Sequence, residues 1–71
     1  MNLEVEILKF LSERHVVPKK DLIEKFGSAG KNVVLAAINS LKTKGFVSVI
    51  SPMGPETVVV TRYGLEEAEK I

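Results

Sequence analysis

Apolar residues recur in three sets along the chain: Leu3, Ile7, Phe10 and Leu11, then Leu22, Ile23 and Phe26, then Val34, Ala37, Ile38 and Leu41. Each set has the spacing of one buried helical face, so the pattern predicts three helices. The first spans about Leu3 to Arg14, with Asn2 placed to cap it and Glu4 and Glu6 near the positive end of its dipole. Pro18 drives the residue before it into extended backbone, so His15-Val16-Val17 reads as a short link. The same proline suits the start of the second helix, whose first turn holds Asp21. Gly27 is expected to stop that helix in left-handed backbone, with Gly30 capping the third, which runs to about Lys44 and ends at Gly45.

Beyond Gly45 the period changes. Phe46-Val47-Ser48-Val49-Ile50 and Thr57-Val58-Val59-Val60 are rich in β-branched residues, and Ser51 to Glu56 is rich in turn formers. These segments predict a hairpin with a loop longer than a tight turn. Thr61 then stands where it caps a last helix, Arg62 to Ile71, with Leu65, Ala68 and Ile71 on one side. The order of elements makes one α+β domain over residues 1–71.

Composition narrows the chemistry. With 71 residues and no cysteine, the fold depends on burial of its 45% hydrophobic content rather than on disulfides. No apolar run approaches the roughly 20 residues that span a bilayer. The N-terminus carries acids where a signal peptide carries bases, so a soluble cytoplasmic protein is expected. His15 is the single histidine, which leaves a metal site to be built from carboxylates alone and a nucleophile–base pair with one imidazole to draw on. No carboxylates have calcium-loop spacing and no glycines form a phosphate-binding fingerprint. Neither an enzyme nor a metal or cofactor site is expected.

Charge is uneven although the net value is only +1. Residues 1–13 sum to −2, residues 14–44 to +5 and residues 45–71 to −2. The basic excess falls on the second and third helices.

Two stretches carry a family resemblance. Val34 to Val47, VLAAINSLKTKGFV, is similar to the pattern V-x-x-A-h-x-x-L-x-x-x-G-h-h of winged helix-turn-helix proteins, where h is apolar. Val60 to Leu65, VTRYGL, resembles the leucine-threonine-x-x-glycine ending that closes the wing in many small archaeal and bacterial transcriptional regulators, with valine in the leucine position. The resemblance implies a three-helix core, a β-hairpin wing and a short C-terminal helix. It also implies that His15-Val16-Val17 pairs with the hairpin as a small third strand, and that Ala29 tucks between the second and third helices. The subclass that reads left-handed nucleic acid is set aside, because the helix positions it fills with asparagine and tyrosine hold Leu35 and Asn39 and the chain has no Trp.

In this family's binding mode the third helix enters the major groove of double-stranded DNA while neighbouring elements hold phosphates. With Val34, Ala37, Ile38 and Leu41 inward, Lys31, Asn32, Leu35, Ala36 and Asn39 are expected outward, with Ser28 at the helix entrance. Asn32 and Asn39 suit adenine edges, Lys31 suits guanine or phosphate, and Leu35 or Ala36 suits a thymine methyl. Lys19, Lys20, Lys42 and Arg62 are the phosphate candidates. A homodimer through the first and last helices is expected, since two-fold symmetry matches paired half-sites. The alternative is a protein-interaction winged helix within a larger assembly, using Val33, Leu35 and Met53 as an apolar patch. It is motivated by the absence of arginine from the third helix and of any cation from the loop.

Overall fold

Over the described residues, 3–51 and 54–70 of a computed structural model, the chain forms α1 (Leu3–Arg14), β1 (Val16–Pro18), α2 (Lys19–Lys25), a 3₁₀ turn (Gly27–Ala29), α3 (Lys31–Thr43), β2 (Val47–Ile50), β3 (Thr57–Val60) and α4 (Arg62–Glu69). The Asn2 cap, Ile71 and Met53 lie outside these residues, and α4 ends at Glu69 with Lys70 as its C-cap, short of the expected Ile71. No described helix is long and apolar enough to cross a membrane.

α3 buries the four residues its periodicity selects, Val34, Ala37, Ile38 and Leu41. It packs on α1, which in turn carries α4 on another side. Contact with two helices demands a wider apolar face than one stripe, and Leu8 joins Ile7 and Leu11 in the core while Phe10 is only half-buried. The second set behaves similarly, with Leu22 fully buried and Ile23 and Phe26 packed at the core's edge.

The strands form one antiparallel sheet in the order β1-β3-β2. Val58 lies at its centre, opposite Val17 on one side and Val49 on the other. Because side chains alternate across a strand, Val47, Val49, Val58 and Val60 turn to the helices while Ser48, Ile50 and Val59 line the outer face. β2 begins at Val47 rather than Phe46. The Phe46 amide closes the end of α3 on the Leu41 carbonyl at 3.0 Å, while its own carbonyl accepts from the Thr61 amide at 3.0 Å.

The corner between α2 and α3 differs from the expectation. Gly27 is not left-handed; α2 ends at Phe26 (φ −105°, ψ 14°), and the freed carbonyls are taken by the 3₁₀ turn, with Ala29 N–H donating to Phe26 and Gly30 N–H to Gly27. The positive φ needed to redirect the chain falls on Gly30 at +103°. This turn sends Ala29 to solvent instead of between the helices. Phe26 packs at the corner, edge-on to Phe10 with ring centroids 6.0 Å apart.

Candidate nucleic-acid interface

Around α3 the exposed surface is set by a 100° step per residue. Asn32, Ala36 and Asn39 stand opposite the buried face and are exposed, with Lys31 and Lys42 exposed near the two ends. Leu35 sits at the margin of this outward face. It lies about one residue step from Val34 and is half-buried, whereas Val33 on the other flank is 51% exposed. No acid lies anywhere on α3. Ser28 is exposed on the 3₁₀ turn just before the helix.

The lysines divide by their partners. Lys44 is bound to Glu4 of α1 at 3.0 Å, and Glu4 also accepts from the Ser40 hydroxyl at 3.0 Å. These contacts staple α1 to α3, and the hydrogen bond from Lys44 holds the Glu4 carboxyl below its ordinary range despite the opposing effect of burial. Arg14 and Lys25 lie over the Phe10 ring, 5.3 and 4.9 Å from its centroid. Lys19 reaches Glu56 at 3.4 Å. Lys20, Lys31 and Lys42 have no ion pair among the described residues.

Lys19, Lys20 and Lys31 come together. With Ile23, Glu24, Pro55 and Glu56 they line a shallow depression of about 410 Å³ where the starts of α2 and α3 meet the returning end of the hairpin loop. Arg62 is elsewhere. The residue before it, Thr61, is bonded to Gly45 and Phe46 just past the C-terminal end of α3, roughly 20 Å along the helix from Lys31. Arg62 is almost fully exposed there, 3.8 Å from Glu66 one turn further on. Lys42 lies in the last turn of α3, toward that same end.

Glu56, like Glu24, is a charged residue of this depression that the sequence reading did not single out. Its signal lay in strand register: once Pro18 is paired with Thr57, antiparallel geometry sets Lys19 against Glu56.

Comparison with family models, with curated proteins and with solved structures returned no match. The functional reading therefore rests on the residues of this chain.

Proposed function

We propose that the chain is a small winged-helix protein that binds double-stranded DNA as a cytoplasmic transcriptional regulator, with α3 in the major groove and the β2–β3 hairpin as the wing. The α+β order of elements and the three-stranded antiparallel sheet are compatible with that fold. The observation that carries the function is the exposed face of α3, where Asn32, Ala36 and Asn39 present hydrogen-bonding and small apolar groups between two lysines and no acid. Such a face suits base edges flanked by phosphates. Lys31, Ser28, Lys19 and Lys20 serve the N-terminal half of the helix, and Lys42 and Arg62 the far end. The test is titration of labelled random-sequence duplex at low salt and then across a salt series, since phosphate contacts must weaken steeply with ionic strength. Absence of binding at tens of micromolar protein sinks the proposal.

A second reading, contact with another protein, is favoured by apolar surface away from the lysines. On the outer face of the sheet Val16 is 54% and Ile50 is 47% exposed, and Val33 adds a further exposed side chain on α3. A complex held by these residues is expected to be nearly indifferent to salt.

A further inference from the structure

Lys19 and Glu56 are held together by the backbone as well as by charge. The Lys19 amide donates to the Glu56 carbonyl at 3.0 Å, one ladder step beyond the Pro18–Thr57 pair, and the Lys19 ammonium lies 3.4 Å from the Glu56 carboxylate. Within the loop, Ser51 to Glu56, Glu56 is the one charged side chain. It therefore brings a negative charge to the depression that also holds Lys20 and Lys31.

We infer that Glu56 stands in for a backbone phosphate at Lys19, so that the loop weakens duplex binding. The inference rests on the DNA-binding reading and assigns a regulatory role within the same site. A lysine already neutralised inside the protein has little counterion release to gain from DNA. A phosphate reaching it must displace the carboxylate or lie beside it, whereas Lys20 and Lys31, which share the depression with Glu24, are in no ion pair among the described residues. Of the three lysines, Lys19 is then the one whose contribution is held in reserve.

The experiment compares the full chain with Glu56→Gln, Lys19→Ala, the Lys19→Ala/Glu56→Gln double variant and Lys20→Ala, by fluorescence anisotropy on labelled random-sequence duplex at several salt concentrations. Glutamine keeps the shape of the side chain and removes its charge. Glu56→Gln is expected to bind about fivefold more tightly at low salt and to steepen the slope of log affinity against log salt by about 0.9. Lys19→Ala alone should weaken binding and flatten the slope less than Lys20→Ala does, and adding it to Glu56→Gln should cancel the gain. Lys20→Ala should weaken binding whatever residue 56 is. If Glu56→Gln keeps the parent's affinity and slope while Lys20→Ala weakens binding, the inference is overturned and the DNA-binding reading stands. If neither the parent nor Glu56→Gln binds, both fall together.

Discussion

Gly64 stands directly against the carbonyl oxygen of Phe46: a Cβ at this position would overlap that oxygen and come within 2.9 Å of a Val60 methyl. The same oxygen accepts from the Thr61 amide, and the Thr61 hydroxyl accepts from the Gly64 amide at 3.0 Å while donating to the Gly45 carbonyl at 2.7 Å. Thr61 and Gly64 thus dock the start of α4 onto the end of α3. This is the physical content of the threonine-x-x-glycine spacing.

Gly64→Ala is accordingly expected to destabilise the fold by about 2–3 kcal/mol, because the nearest obstacle is backbone that cannot rotate away. In a domain of this size that lowers the melting temperature by roughly 10–20 °C. Thermal unfolding followed by circular dichroism checks it. An unchanged melt would mean that α4 does not start against Phe46.

The Glu4–Lys44–Ser40 staple makes stability pH-dependent. Glu4 has a lowered folded-state pKa, so its contribution is present when pH lies above its ordinary value of 4.5 and is lost as pH falls through the lower folded value. Glu4→Gln should cost less than about 1 kcal/mol at neutral pH, as partly exposed ion pairs do, and should flatten the acid limb of the stability curve. Denaturant midpoints measured from neutral pH to below pH 4.5 decide this. A parent and variant that lose stability in parallel over the acid range would remove Glu4 from the account.

Within the proposed DNA complex, phosphate contacts and base contacts have separate signatures. Lys20→Ala or Lys42→Ala should weaken binding to all duplexes alike and reduce the salt slope by about one unit per lost contact. Asn39→Ala should leave the slope intact and reduce preference among sequences by roughly 1–3 kcal/mol if it makes a two-pronged contact to adenine. Binding that responds more to Leu35→Lys than to removal of these lysines would favour the protein-contact reading.

Self-association is expected to be weak. Leu65 and Ala68, the apolar residues that single out the last helix as a dimer contact, pack against the core of their own chain through α1. A dimer through α1 and α4 is left with outer faces that are polar apart from Tyr63, 55% exposed on α4, which suits a transient interface. Sedimentation should give monomer at low micromolar concentration, with association only well above it. A stable dimer at the low end would mean that another surface pairs the copies.

The sequence by itself determined the extent of α1 and α3, the buried face of α3, the two strands of the hairpin and the Thr61 cap. Each follows from interactions within a few residues: a 3.6-residue apolar period, β-branched runs, a hydroxyl three residues before the amide it caps. Tertiary structure alone decided that Leu8 is core, since α1 is packed from two sides, and that Leu35 sits at the margin of the exposed face. It also decided which lysines are already engaged. Lys44 meets Glu4 across 40 residues and Lys19 meets Glu56 across 37, pairings fixed by helix docking and strand register rather than by local spacing. The count of basic residues between Arg14 and Lys44 therefore overstates the cations open to a phosphate. The fold brings Lys20 and Lys31 together, without ion pairs among the described residues, at one end of α3, leaves Lys42 near the other, and places a carboxylate beside Lys19.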